Sequence, residues 1–303
     1  MNIPPIDYKE FYLNYQIDYW SYKIAMLKNV FDNFHEVKNT IYKGLTDTND
    51  EDFLLMIKTD LHFLYFQVIE ALFELIFALE KGDERYIWFH MSFPDGNHYN
   101  RIKSIAEGDT ELFQKKWKFK TNQNDKKYEI SFLDYVFYHY HSFNSTENSK
   151  KRNLEAIKEF LAIFAKDFSD RYEYNAFKHA LRFLYCKLGV RFESSDKKLS
   201  ANFQSKDGFK YLERDKKNKE IISLTAKAFN TARDVKMSST CTQLISNIIS
   251  SRKIYYHKTK EGLYYFEDVD FDEVLKTTPG PLGKMTMSFV PIYGDGNSIV
   301  DES

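Results

Sequence analysis

The sequence predicts a mainly α protein, a helical bundle with a small antiparallel β element in the C-terminal third. Apolar residues recur at helical spacing through most of the first two-thirds of the chain. Glycine and proline are scarce, at 11 and 6 of 303 residues, which disfavours a fold of many tight turns. Beyond Gly189, short β-prone runs alternate with turn residues. A hydrophobic fraction of 43% indicates a sizeable core.

The N-terminal part predicts helices. Residues 6–44 are expected to form one or two, because apolar and aromatic side chains recur at helical spacing. The acidic segment 46–53 then offers N-cap residues for a helix that ends near Glu80. Its window 60–80 is apolar enough to raise the question of a membrane. It carries Asp60, His62, Glu70 and Glu74, so a buried bundle helix without membrane contact is expected.

The middle and C-terminal parts predict shorter elements. Helical pieces are expected at 101–108, 110–119, 128–140, 153–168 and 171–188, the last ended by Gly189; the alternation within 128–140 also suits a strand. Strands are expected near 198–204, 209–213, 220–227 and 262–269, with a helix over 230–256 and a hairpin turn at Asp207-Gly208. The predicted domains are a bundle over 1–190, a β segment plus helix packed on it over 191–276, and an irregular or disordered tail over 277–303.

Charge and cysteine usage narrow the function classes. The formal net charge is −1, so bulk electrostatics do not demand a nucleic-acid partner. Cys186 and Cys241 are far apart, which fits a reducing compartment and predicts no disulfide or metal framework. The first residues show no secretory pattern, so a cytoplasmic location is expected. Nucleotide-binding glycine loops and common hydrolase motifs do not occur, and neither a cofactor nor a metal is expected.

The stretch RYEYNAFKHALR, residues 171–182, concentrates polar groups among aromatic residues. On a helix, Arg171, Asn175 and His179 share one face, and Arg182 extends it with Lys178 at its flank. Histidine exchanges protons near neutral pH, and arginine grips phosphate. The stretch therefore predicts phosphodiester chemistry without a metal, with catalytic Arg171, Asn175 and His179 and with Lys178 and Arg182 binding the substrate.

This arginine-led polar helix with a histidine one to two turns later resembles the HEPN superfamily. The resemblance implies a helical bundle that often dimerises, and in many members a ribonuclease site with four to six residues between an arginine and a histidine. Here seven residues separate Arg171 from His179, and Tyr172 follows the arginine. The chain also resembles, more loosely, bacterial proteins with a Tyr-Asn-x-x-Lys-His run, here 174–179, and that likeness implies no activity.

A second interpretation of the same residues is structural. Buried polar groups need partners, and Glu70 or Glu74 on the apolar helix is expected to pair with Arg171, Lys178 or Arg182. The protein would then be a non-enzymatic interaction or scaffold protein. The lysine-rich segment 115–120, which interleaves Trp117 and Phe119, keeps RNA binding open. Whether the protein is an enzyme, and whether it forms a homodimer, are left open by the sequence.

Overall fold

The structure is a computed structural model that describes residues 8–93, 96–120, 127–139, 147–179, 182–185, 188–193, 200–205, 207–214, 221–266 and 284–289. Its helices are α1 (Tyr8–Asn14), α2 (Tyr19–Asp32), α3 (Phe34–Ile41), α4 (Asp50–Glu80), α5 (Ile87–Ser92), α6 (His98–Ala106), α7 (Glu111–Gln114), α8 (Phe132–Tyr138), α9 (Glu147–Ser169), α10 (Tyr172–Lys178) and α11 (Thr231–His257). Its strands are β1 (Lys116–Lys120), β2 (Lys127–Ser131), β3 (Phe183–Tyr185), β4 (Leu188–Glu193), β5 (Ser200–Ser205), β6 (Gly208–Arg214), β7 (Ile222–Ala228) and β8 (Lys284–Phe289).

The chain forms two compact units. The helical unit comprises Met1–Arg171 and Thr231–Thr278, and the sheet unit comprises Tyr172–Asn230 and Pro279–Ser303. The predicted mainly α class, a helical bundle with a small antiparallel β element towards the C-terminus, is confirmed.

The long helix α4 forms the core of the helical unit. It begins at Asn49, whose side chain accepts hydrogen bonds from the backbone N–H groups of Glu51 and Asp52. It ends before Gly82, which adopts a left-handed φ of 87° that favours glycine. Between these ends it buries a nearly continuous apolar surface against α2 and α11.

Other helices complete the helical unit around α4. Helix α9 packs against α6 and α4, and α11 also contacts α1, α2 and α8. A two-stranded hairpin, β1–β2, leads into α8, and Ser131 caps that helix by accepting from the backbone N–H of Asp134. The contacts of α11 with α1, α2, α4 and α8 join segments distant in sequence, so the unit closes only when this C-terminal helix is in place.

The sheet unit contains an antiparallel sheet of strand order β3-β6-β7-β8 and a separate pair β4-β5. Its aromatic core includes Phe209, whose ring stacks on Phe229 with 4.6 Å between centroids. The short helix α10 contacts β3 and β6. Within α10, Glu173 is fully buried and accepts a hydrogen bond from Lys227 at 2.6 Å.

Most long elements agree with the sequence prediction. Helices α4 and α11 match it closely, and strands β5, β6 and β7 begin and end within two residues of their predicted bounds. Residues 8–41 form three helices, because the helical conformation is interrupted near Gln16 and again at Asn33. The segment 128–140 contains the end of β2 and then helix α8, so its first residues form a strand and the following ones a helix.

The predicted helix over 171–188 is wrong in its second half. Helix α10 ends at Lys178, and β3 follows at Phe183–Tyr185, paired with β6. Gly189 lies within β4 and does not end a helix. Here the pairing of Phe183 and Tyr185 with Tyr211 and Phe209 overrides the local helical pattern.

Four smaller expectations also need correction. Residues 116–120 are strand, not helix. Asp207-Gly208 does not join a hairpin, since β5 pairs with β4 while β6 pairs with β3 and β7. Residues 261–266 have no regular strand, and the rest of the predicted strand 262–269 lies outside the described residues. Within the predicted tail, Lys284–Phe289 is a strand paired with β7.

Candidate functional site

The side chain of Arg171 is engaged in contacts within the helical unit. Its Nη1 lies 3.7 Å from Oε1 of Glu70, which is one of the pairings expected between Glu70 or Glu74 and Arg171, Lys178 or Arg182. Its guanidinium also stacks on two rings, 4.0 Å from the centroid of Phe168 and 4.6 Å from that of Tyr99. Since carboxylate and rings hold the guanidinium on several sides, Arg171 is poorly placed to bind a substrate phosphate.

The other predicted site residues belong to the sheet unit and do not form one helical stripe. Helix α10 covers only Tyr172–Lys178, so His179 lies in the turn after it and Arg182 lies immediately before β3. Lys178, His179 and Arg182 are exposed, whereas Asn175 is half-buried. The Lys178 ammonium lies over the ring of Tyr174 at 4.3 Å. Their action on RNA stays a prediction.

The polar residues of α4 are used inside the helical unit. His62 Nδ1 lies 2.8 Å from Oδ2 of Asp234 on α11, and both side chains are buried. Arg233 lies beside this pair, with Nη1 3.9 Å from Oδ1 of Asp234, and donates to Asp167 on α9 at 2.5 Å. The cluster links α4, α9 and α11 through charged hydrogen bonds. Among the described residues, no group of three or more metal-ligating side chains is gathered in one place.

The helical unit carries an open groove of about 1050 Å³. Its walls are the start of α2 with the turn before it, one face of α11, and an extended segment, residues 261–266, which we term the strap. The lining residues are Tyr15, Gln16, Ile17, Asp18, Tyr19, Tyr22, Lys23, Met26, Ser246, Ser250, Lys253, Glu261, Gly262, Leu263 and Tyr264. A volume of this size accommodates a peptide segment or an inserted side-chain cluster of a partner.

The groove exposes an unusual amount of aromatic and apolar surface. Tyr22 is 72% exposed, Met26 58%, Tyr19 49% and Tyr264 46%. At its floor, burial raises the pKa of the Tyr15 phenol to about 12, opposed by a hydrogen bond with Trp20, so this hydroxyl stays protonated. Contiguous exposed apolar surface rimmed by polar groups is typical of protein interaction sites.

Two buried asparagines position the strap. The side chain of Asn247 on α11 accepts from the backbone N–H of Tyr264 and donates to its carbonyl oxygen, both at 2.8 Å. Asn153 on α9 accepts from the backbone N–H of Phe266 at 2.7 Å. The Tyr138 hydroxyl on α8 adds a 2.9 Å bond to the Tyr264 carbonyl oxygen. Side chains from three helices thus hold the strap by its backbone, in the way a groove binds an extended peptide.

A second polar cluster, centred on Glu84, lies deep in the helical unit. The Glu84 carboxylate accepts from the hydroxyls of Tyr12, Tyr135 and Tyr256 at 3.0, 2.5 and 3.1 Å. The fully buried Arg252 lies 3.2 Å from it. Burial acts to raise the pKa of Glu84, but Arg252 and His139 hold it well below its usual range. The cluster is enclosed, so it stabilises the unit and offers no open binding site.

Sequence reasoning missed Asn247, Arg252 and the groove. A signal existed for two of them, because Leu244, Ile248 and Arg252 are spaced four residues apart on the buried face of α11, with Asn247 beside them. A charge on an apolar stripe predicts a buried acidic partner. The groove had no local signal, since its wall at the start of α2 lies more than 200 residues from the walls formed by α11 and the strap.

Two further expectations concern nucleic acid and membrane. Trp117, which is half-buried, stacks on Tyr135 with 4.9 Å between ring centroids, so one face of its ring is covered. Helix α4 is long and apolar enough to cross a membrane, and 78% of its most apolar window is buried inside the protein. Such burial is typical of a core helix.

No protein-family model matches the chain, and neither does any curated protein or solved structure.

Proposed function

We propose that this protein is a non-enzymatic interaction protein that binds a protein partner in the groove of its helical unit. One observation carries the proposal: the groove of the helical unit exposes Tyr19, Tyr22, Met26 and Tyr264 together. Tyrosine is enriched where protein interfaces gain most of their binding energy, because its ring buries a large area at a low cost in side-chain entropy.

The contacts of Arg171 also favour this function over catalysis at the predicted stripe. A catalytic arginine must be free to bind a developing phosphate charge, but Arg171 is engaged by Glu70 and by the Phe168 and Tyr99 rings. The HEPN-like ribonuclease therefore has less support than the interaction protein.

The experiment that tests the proposal is site-specific photo-crosslinking in the cells that make the protein. The photoreactive residue p-benzoylphenylalanine replaces Tyr22 in one variant and Leu45 in a control, since Leu45 is 60% exposed and outside the groove. We expect a discrete protein adduct from position 22 and none from position 45. Absence of any adduct at position 22 would contradict the proposed function.

A second candidate function is RNA binding by the sheet unit. The observation that favours it is the exposure of Lys178, His179 and Arg182 around the end of α10. Cationic side chains close together in sequence can meet successive phosphates of a single strand. Binding of this kind needs no catalysis and does not involve Arg171.

RNA binding and cleavage are tested with a labelled single-stranded RNA and the variants His179→Ala and Arg171→Ala. We expect no cleavage by the wild-type protein, an unchanged melting temperature for His179→Ala, and a lowered one for Arg171→Ala. A wild-type cleavage activity that disappears in a stably folded His179→Ala protein would instead establish the ribonuclease. Salt-dependent binding that weakens in Lys178→Ala and Arg182→Ala would support the second candidate.

A further inference from the structure

Helix α2 carries apolar residues on two faces. Its inner face buries Ile24 and Leu27 in the helical unit. Its outer face exposes Tyr19, Tyr22 and Met26, which are three and four residues apart and form one row along the helix, termed here the α2 stripe. A helix at the surface of a bundle is expected to be polar on the side turned away from the core. An exposed apolar stripe on that side therefore indicates a surface that a partner covers.

Helix α11 supplies a second row of residues to the same groove. These residues are Ser246, Ser250 and Lys253, four and three residues apart, termed here the α11 stripe. Ser246 is half-buried and Ser250 is buried, so α11 offers small, recessed side chains where α2 offers large, protruding ones. The two helices also contact each other. Small side chains on one wall leave room for bulky apolar side chains of an occupant.

We infer that the groove binds an amphipathic α-helix of the partner protein, which packs between α2 and α11 as a third helix. This inference rests on the proposed function, because it names the kind of partner segment that fills the groove. The bulky apolar side chains of that helix lie over Ser246 and Ser250, and the α2 stripe packs along their flank.

The spacing of the two stripes fits a helical occupant better than an extended one. Three contact positions spaced three and four residues apart on a helix follow one another at about 5.3 Å along its axis. Apolar residues of an incoming helix at i, i+3 or i+4, and i+7 repeat at the same distance. In an extended chain, side chains on one face repeat about every 6.7 Å, so the third would be displaced by about 3 Å. An occupant that meets both stripes at every position is therefore a helix.

The charges of the groove define the polar flanks of that helix. Lys23 donates to the side chain of Gln67 on α4 at 3.3 Å, so it already has a partner. Within the described part of the chain, Asp18, Lys253 and Glu261 form no ion pair. Basic residues of the occupant opposite Asp18 and Glu261, with an acidic residue opposite Lys253, complement these charges. The helix is therefore expected to carry more basic than acidic residues beside its apolar face.

The test identifies the partner segment that crosslinks to p-benzoylphenylalanine at position 22 and measures its binding as a synthetic peptide. Mass spectrometry of the adduct gives the segment, which we expect to have apolar residues at i, i+3 or i+4, and i+7. Fluorescence anisotropy then measures the Kd of the labelled peptide for the full chain. A central proline on the polar side of the peptide is expected to raise Kd at least about tenfold, because proline breaks a helix. Alanine at the same position should change Kd by less than about twofold.

Two variants of α11 test where the peptide binds. Ser246→Leu fills the space beside the α2 stripe and should raise the Kd of the peptide at least about tenfold. Ser239→Leu is the matched control, because Ser239 is exposed on the same helix and outside the groove. Thermal unfolding checks that both variants fold. Tyr22→Lys, at a position that is 72% exposed, replaces Ser246→Leu if that variant does not fold. A Kd equal to that of the control overturns the inference.

The outcomes separate this inference from the proposed function. A crosslinked segment without the helical spacing of apolar residues keeps the proposed function and overturns the inference. The same holds for a peptide that does not bind, or that binds equally well with the central proline. If the segment belongs to a second copy of this chain, the same criteria decide. The lack of any adduct contradicts both proposals.

Discussion

Glu84 brings three phenol hydroxyls and one guanidinium together inside the helical unit. Arg252 forms an ion pair with Glu84, is fully buried and also donates to the backbone carbonyl oxygens of Val136 and Ile248. The desolvation of both charges is costly, and their mutual attraction offsets that cost only while both are present. Removing either charge therefore destabilises the folded protein far more than removing one charge of a surface pair does.

Removing one partner of this pair should strongly destabilise the protein. Glu84→Gln leaves the Arg252 guanidinium buried without its counter-charge, and we expect a loss of about 3–5 kcal/mol in the free energy of unfolding. Urea denaturation followed by circular dichroism at 222 nm measures it. Asp83→Asn is the matched control, because the neighbouring Asp83–Arg85 pair is exposed and its loss should barely change the denaturation midpoint. Equal midpoints for the two variants would contradict this account of Glu84.

The same carboxylate predicts how stability depends on pH. Arg252 and His139 keep the pKa of Glu84 below that of a glutamate in the unfolded chain, so unfolding takes up a proton. Its contribution is fully present above about pH 4.3, the usual glutamate pKa, and is lost as the pH falls towards the folded-state pKa. We expect the wild-type unfolding free energy to fall more steeply than that of Glu84→Gln between about pH 5 and 3. If the unfolding free energies of the wild type and Glu84→Gln fall equally with pH, Glu84 is not the source of this pH dependence.

At the residue scale, a charge pairing was predictable only where the partners stood out from their surroundings. Glu70 is a carboxylate on an apolar helix, and Arg171 leads a polar run, so each residue signals the need for a partner. Glu84 lies in the short charged segment DERY and looks like an ordinary surface residue. Only the fold shows that α11 brings Arg252 against it.

At the element scale, the strap is a segment without regular structure whose conformation depends on side chains from α8, α9 and α11. Asn247 satisfies both backbone groups of Tyr264, as a neighbouring β-strand would do. Phe266 is buried and meets the ring of Phe160 edge-on at 5.9 Å. The strap is therefore held by a few directional bonds and one aromatic anchor, and it should open locally when one of them is removed.

Asn247→Leu should release the strap while α11 remains folded. The substitution keeps the branched shape of the side chain but removes both bonds to Tyr264. The Tyr264 carbonyl oxygen keeps its bond from the Tyr138 hydroxyl, whereas the Tyr264 N–H is left unsatisfied, at a cost of about 1–3 kcal/mol. Chymotrypsin cleaves after aromatic residues, so we expect faster cleavage after Tyr264, Tyr265 or Phe266 than in the wild type, identified by mass spectrometry. Asn247→Gln is a useful comparison, because it retains the amide but displaces it. Unchanged cleavage of Asn247→Leu would mean that the asparagine does not hold the strap.

Elements were predictable when their own residues determine them. Helices α4 and α11 are long and carry regular apolar faces, so local periodicity was sufficient. The segment 171–188 has Phe177, Leu181 and Leu184 at helical spacing, yet its later part is a strand. The deciding contacts are distant, such as the ring of Phe183 at 4.9 Å from that of Phe209. No local pattern reports such a contact.

At the scale of the whole molecule, the chain passes between its two units three times, at 171–172, 230–231 and 278–279. The sequence predicted a boundary near 190 from a change in composition, with α11 grouped with the β segment. In the structure α11 belongs to the helical unit, because its apolar face packs against α4. A helix that follows a β segment in sequence can still complete an earlier core, and composition along the chain does not distinguish these two arrangements.

This division into units predicts two levels of stability, which hydrogen exchange measured by mass spectrometry can resolve. In the described residues, α4 buries 17 of its 31 side chains and α11 buries 13 of its 27, whereas α10 has seven residues and buries only Glu173 and Tyr174. Amides of β6 and β7 are therefore expected to exchange at least about tenfold faster than those at the centre of α4, after correction for intrinsic rates. Both sets are hydrogen-bonded within regular elements, so the difference reports the opening of each unit and not local fraying.

Adding urea below the main transition should raise exchange in β6 and β7 first. Equal opening free energies, with the same urea dependence in both units, would show instead that the two cores unfold as one.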